Sequence, residues 1–235
     1  MLNGEIALVA GGAKGKGKYI SSFLSDYGAD VIIIGREEEE LKEVHKLNEN
    51  KITYFVGDIT NEDTIKNLVD IITKKYGKLN ILVNVLDYYQ VKNIKDLKIS
   101  DYDKLFNYDV RAPVNMTIQF LPLIVKCQGQ IINIFSSNLS YAAPNISMYS
   151  GAVAAFHQIS VCWSKELIYD NIKINFLFPR LIDLDNWKDK NLLYESLYPI
   201  LFKGKDETSK NMVKQSFLFF DKNGNFMTGS SIVTS

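Results

Sequence analysis

The chain has 235 residues, nearly half of them apolar, which suits one α/β domain with a substantial core. Its 27 basic and 27 acidic side chains balance, so the charge gives no sign of a nucleic-acid partner or an anionic membrane surface. Cys127 and Cys162 are too few for a disulfide framework, no spacing suggests a metal site, and no apolar run is long enough to cross a bilayer. The expectation is a soluble, cytoplasmic protein with buried, reduced thiols.

The first apolar run, 6–10, ends in Gly11-Gly12-Ala13-Lys14-Gly15-Lys16-Gly17. Ile20, Phe23, Leu24 and Tyr27 then recur at helical spacing, Gly28 stops the helix, and 31–34 form a second apolar run. Strand, glycine loop, helix and strand open a dinucleotide-binding βαβ unit, in which glycines admit a pyrophosphate and the helix N-terminus offers it unpaired N–H groups. Glu37 to Glu40 start a second helix with Leu41, Val44 and Leu47 inward, leaving His45 on the surface. A third strand at 52–56 is closed by Gly57-Asp58, and Thr60 or Asn61 caps a third helix that ends at Gly77. The run at 79–86 is apolar almost throughout, as in a strand covered on both faces of a parallel sheet.

A polar, tyrosine-bearing loop follows, then one long helix over about 100–124. A strand at 131–135 leads into Ser136, a second long helix spans about 148–169, and 172–178 form a sixth strand. The irregular stretch 181–204 is expected to cover the substrate side, followed by a helix at 207–220 and a short last strand at 231–233. This alternation predicts a single Rossmann-type domain over 1–235: a doubly wound parallel sheet between two helical layers.

These landmarks resemble the short-chain dehydrogenases and reductases over essentially the full chain. The glycine loop is similar to that family's Thr-Gly-x-x-x-Gly-x-Gly, and Gly57-Asp58-Ile59 sits where a family aspartate recognises adenine. The strand ending at Ser136 resembles the one delivering the catalytic serine, and Tyr149 stands thirteen residues on, at the usual offset of the catalytic tyrosine. Met227-Thr228-Gly229 matches the segment before the family's last strand. The resemblance implies cofactor contacts from Gly11, Ala13, Lys14, Gly15, Lys16, Gly17, Asp58, Ile59 and Asn84. It also implies Ser136, Tyr149 and the residue at Asp109, where the family has asparagine, as the catalytic set.

The same resemblance exposes departures. The family's Tyr-x-x-x-Lys reads Tyr149-Ser150-Gly151-Ala152-Val153, which removes the lysine from the tyrosine's helix face. Asn-Asn-Ala-Gly reads Asn84-Val85-Leu86-Asp87, and Pro-Gly reads Pro179-Arg180. His157 and Lys165 lie about 12 Å and about 24 Å further along the helix, too far to substitute, which leaves Lys16 as the candidate. Where an NAD-specific chain carries an acidic residue after the second strand, this one has Gly35-Arg36, and Arg36 with Lys14 suits a 2′-phosphate. NADP is therefore favoured over NAD. Two functions stay open: an NADP(H)-dependent reductase of a small carbonyl substrate, compatible with an apolar one, or a non-catalytic nucleotide-binding sensor or partner subunit. Apolar residues extending well round both long helices point to a homodimer or homotetramer.

Overall fold

The computed structural model describes residues 2–85, 88–135, 144–178 and 228–233. Ser136, the expected cover at 181–204 and the expected helix at 207–220 lie outside the described residues. Seven parallel strands form one sheet in the order β3-β2-β1-β4-β5-β6-β7. They are β1 (Ile6–Ala10), β2 (Asp30–Gly35), β3 (Ile52–Val56), β4 (Ile81–Val85), β5 (Gln130–Ile134), β6 (Lys173–Phe178) and β7 (Ser231–Val233). The helices are α1 (Gly15–Asp26), α2 (Glu38–His45), α3 (Glu62–Tyr76), α4 (Ile99–Phe106), α5 (Ala112–Val125) and α6 (Ser147–Glu166).

Alternation along each strand divides the core. Leu8, Ala10, Ile32, Ile34, Leu82 and Ile131 face the layer that includes Ile65, Leu68 and Ile72 of α3 and Met116, Phe120 and Ile124 of α5. Ala7, Val9, Val31, Ile33, Val83 and Ile132 face Ile20 and Leu24 of α1 and Leu41 and Val44 of α2. Strands buried on both faces explain why the runs read as continuous apolar stretches rather than alternating ones. The chain leaves β1 toward β2 and β3 on one side and toward β4 on the other. The carboxyl ends of β1 and β4 therefore flank a crevice where the strand order reverses, the ligand-binding position of open α/β sheets.

Local signals hold at several joints. Asn61 caps α3, its Oδ1 accepting from the Asp63 N–H at 2.8 Å. Gly77 closes that helix in the left-handed region at φ 69°, its N–H donating to the Ile72 and Thr73 carbonyls.

Other expectations need correction. The helix expected over 100–124 is two helices joined by a π turn, Asn107–Arg111, which the side-chain pattern does not betray because polar and apolar residues keep a helical rhythm through it. Leu47 lies beyond the end of α2 and is exposed, not inward. His45 is half-buried against Tyr54, with Nδ1 on the Ile52 carbonyl. Cys162 is exposed and Cys127 half-buried, whereas both were expected inside.

Beneath α6 a chain of polar side chains crosses the core. Asn84 Nδ2 donates to Asn133 Oδ1 at 2.8 Å, Asn133 Nδ2 donates to Ser160 Oγ at 3.4 Å, and Ser160 Oγ donates to the Phe156 carbonyl at 2.9 Å. All three side chains are buried, so each amide relies on its neighbour in place of water. Asn133→Ala strands the Asn84 amide and is expected to cost about 1–3 kcal/mol. A thermal melt should show this as a fall of several degrees; an unchanged midpoint would refute it.

Candidate active site

The glycine loop is fixed by close packing. Gly11 has φ 81°, and a Cβ there would lie 2.1 Å from the Val85 carbonyl oxygen at the end of β4. A Cβ on Gly17 would lie 2.0 Å from the Gly11 carbonyl oxygen. The start of α1 is thus pressed onto the turn leaving β1, and the turn onto β4. The N-cap residue Lys14 makes no side-chain capping bond, and the first turn holds no acidic residue. The positive end of the α1 dipole lies at the crevice, where it suits an anion.

Beside the loop lies a cavity of about 180 Å³. Gly11 and Val85 form its floor, Ile34, Gly35 and Arg36 come from β2 and its end, and Gly57, Asp58 and Ile59 follow β3. Tyr88, Tyr108 and Asp109 close the remaining side. Asp58 is held by its own turn, with Oδ1 accepting from the Thr60 N–H and Oγ–H, each at 2.8 Å. Arg36 Nη1 donates to Tyr108 Oη at 2.6 Å, and the Tyr108 hydroxyl donates to Asp58 Oδ2 at 3.4 Å. Tyr88 stacks on Tyr108 at 5.3 Å between ring centroids, and Lys104 lies over the Tyr88 ring. Burial, and then the Asp58 charge, push the Tyr108 phenol above its ordinary range, so it stays a donor.

The structure brings Gly11, Arg36, Asp58, Ile59 and Asp109 of the expected set together around this cavity. It adds Tyr88 and Tyr108, which the sequence reading missed; the only hint was tyrosines in the loop after β4 and in the following helix. Lys14, expected at a 2′-phosphate, is ion-paired with Glu40. Asn84 points into the buried amide chain instead of lining the cavity. Asp109 is fully buried in the π turn, where Oδ1 accepts from the Tyr88 N–H at 2.8 Å and so anchors the segment leaving β4.

Tyr149 sits in a different environment. It is fully buried among Leu105, Phe135, Phe156, Phe176 and Phe178, and Tyr89 packs on its ring at 4.5 Å. Val153, one turn along α6, belongs to the same cluster. Val153 is thus a buried, uncharged core residue beside Tyr149. His157 is no substitute: its ring packs on Phe176, and Nε2 bonds with Ser231 Oγ at 3.0 Å.

The segment carrying Tyr88 and Tyr89 is clasped from its far end by Asp101. That carboxylate accepts from Lys92 Nζ, the Lys98 N–H and Gln90 Nε2.

A family model described as short chain dehydrogenase matches residues 5–193, and the chain belongs to that family. An uncharacterised oxidoreductase of Staphylococcus aureus (strain MW2) is 26% identical over 185 residues, which cover 78% of this chain and 80% of that protein. The 3-oxoacyl-acyl-carrier-protein reductase FabG of Thermotoga maritima is 29% identical over 186 residues, covering 77% and 76% of the two chains. Among solved structures, a metagenomic short-chain oxidoreductase in complex with NADP superposes with a TM-score of 0.82 at 18% identity, covering 99% of this chain and 97% of that one. A short-chain dehydrogenase from Streptomyces avermitilis gives 0.84 at 21% identity, with coverage of 98% and 88%. The chain is a Rossmann-type member of an oxidoreductase family that binds NAD(P). Among the described residues, no helix is long and apolar enough to cross a membrane.

Two expectations follow from this geometry. Gly17→Ala should force the loop off α1 and weaken nucleotide binding at least tenfold, since no side chain can yield at a 2.0 Å approach to backbone; a titration with unchanged affinity would refute the loop's role. Lys92 above all, then the Lys98 amide and Gln90, push the Asp101 carboxyl down to about 2. A depressed carboxyl pKa means that the clasp's contribution is present above the ordinary carboxylate range and is lost as pH falls through about 2. Carboxyl NMR of Asp101 should titrate near that value, and an ordinary midpoint would show the clasp to be absent in solution.

Proposed function

We propose that the protein is an NADP(H)-dependent reductase of a small carbonyl compound with an atypical active site. The observation carrying this reading is the packed glycine loop, which presents the N-terminus of α1 beside a cavity edged by Arg36 and Asp58. The fit to a dinucleotide is specific: a Cβ would fill the cradle at Gly11, and a guanidinium stands where the second strand ends. Gly11, Ala13, Gly15, Lys16 and Gly17 would hold the pyrophosphate, Asp58 and Ile59 the adenine, and Asn84 would support the end of β4. Arg36 would fork onto a 2′-phosphate, with Lys14 exchanging Glu40 for it. When bound, NADPH supplies the hydride.

Tyr149 then gives its hydroxyl proton to the carbonyl oxygen, and Ser136 hydrogen-bonds that oxygen. Val153 offers no charge to favour a tyrosinate, so the direction needing the neutral hydroxyl, carbonyl reduction, is preferred over alcohol oxidation. Asp109 acts by anchoring Tyr88. The apolar rings round Tyr149 favour an apolar substrate. A second reading, a nucleotide-binding subunit without turnover, is favoured by the burial of Tyr149 beneath Tyr89.

Titration should show NADPH binding roughly tenfold or more tighter than NADH, with Arg36→Ala removing most of the difference. Equal affinities would overturn the cofactor assignment. Carbonyl-dependent oxidation of NADPH, lost in Tyr149→Phe, separates the enzyme from the binding subunit; tight binding with no turnover on any carbonyl selects the latter.

Assembly fits the same picture. Ile118 of α5 is 54% exposed, and a cleft lined by Tyr102, Phe106, Val110, Val114 and Ile159 opens between the paired helices and α6. A second copy related by a two-fold axis would cover these side chains. Light scattering at micromolar concentration should give a dimer or tetramer, and a monomeric mass would refute it.

A further inference from the structure

We propose that Tyr108 is a latch on the nucleotide site, its hydroxyl competing with the cofactor's 2′-phosphate for Arg36. The inference rests on the NADP(H) reading above and adds a regulatory element to it. Arg36 and Asp58, which line the cavity from the ends of β2 and β3, are both engaged by a single hydroxyl. The contact with Arg36, at 2.6 Å, is the short one, and the guanidinium also lies 5.3 Å from the centroid of the same ring.

The ring is braced from behind. Tyr88 stacks on it, and the Tyr88 amide is tied to Asp109, the next residue in the same π turn. The two tyrosines line a cavity of about 180 Å³, below the roughly 300–1,000 Å³ usual for a ligand pocket. Burial and the neighbouring carboxylate keep the phenol protonated, so the latch persists across the neutral range.

A phosphate on the ribose 2′-oxygen needs the Arg36 donors that now face Tyr108. Binding must first release them, and the apparent affinity is reduced by the fraction of molecules already released. A ligand lacking that phosphate draws less from Arg36 and meets less of this penalty.

Tyr108→Phe keeps the ring and its stacking on Tyr88 while removing the hydroxyl. Isothermal titration of the full chain with adenosine 2′,5′-bisphosphate should show binding about tenfold tighter than in the unaltered protein. The gain with 5′-AMP should be several-fold smaller, and Arg36→Ala combined with Tyr108→Phe should abolish it. Tyr108→Met, which also lacks the hydroxyl, provides a second variant with the same ordering should Tyr108→Phe fold poorly. Unchanged or weaker binding of the bisphosphate in the variants would overturn the latch and leave the NADP(H) reading standing. Equal gains with both probes would also overturn it, because the hydroxyl would then be limiting space and not Arg36. Absence of binding by every form would take down the latch and the cofactor reading together.

Discussion

The closest constraint in this molecule is backbone against backbone. Gly17 meets the Gly11 carbonyl and Gly11 meets the Val85 carbonyl at distances that leave no room for a methyl group. Together these contacts lock α1, the turn out of β1 and the end of β4 into one unit. The strand order then decides what that unit faces. Because β2 and β4 lie on opposite sides of β1, the crevice opens at the N-terminus of α1. The crevice beside the glycine loop is therefore a consequence of sheet topology and two glycine-to-backbone approaches before any charged side chain is considered.

Much of this was legible in the sequence because its causes are local. Apolar runs mark buried parallel strands, Asn61 and Gly77 mark the ends of α3, and the glycine loop marks the βα turn. Arg36 and Asp58 were readable, but the part of Tyr88 and Tyr108 in the cavity wall was not, because Arg36, Asp58 and Tyr108 come from three elements and meet only once β2, β3 and the π turn are in place. The π turn itself leaves no trace: Leu105, Asp109 and Ala112 are all buried, a spacing that an uninterrupted helix would also show. Lys14 illustrates a different limit. Its place beside the loop was readable, but its engagement with Glu40 depends on how α2 lies against α1.

The two ends of the site are built from different materials. At the nucleotide end, exposed backbone, a guanidinium and a carboxylate surround a small cavity. At the other end Tyr149 is enclosed by aromatic rings, with Val153 in the same cluster. A cavity is thus already present beside the glycine loop, whereas Tyr149 is closed off by its neighbours. Under the proposed function, binding would use the cavity as it stands and proton transfer would need that enclosure to open, a difference that arises from packing.

Two consecutive tyrosines join those ends. Tyr88 stacks on Tyr108 at the nucleotide cavity, and Tyr89, one peptide further, packs on Tyr149. Their backbone is pinned by Asp109 on one side and by the Asp101 clasp on the other, so the segment has little freedom to move one ring alone. The Tyr88 ring rests on Tyr108 and the Tyr89 ring on Tyr149, so two ring pairs are joined through a single peptide link between the cavity and the aromatic cluster. The Tyr88 ring that lines the cavity and the Tyr89 ring that covers Tyr149 are held by the same short stretch of chain.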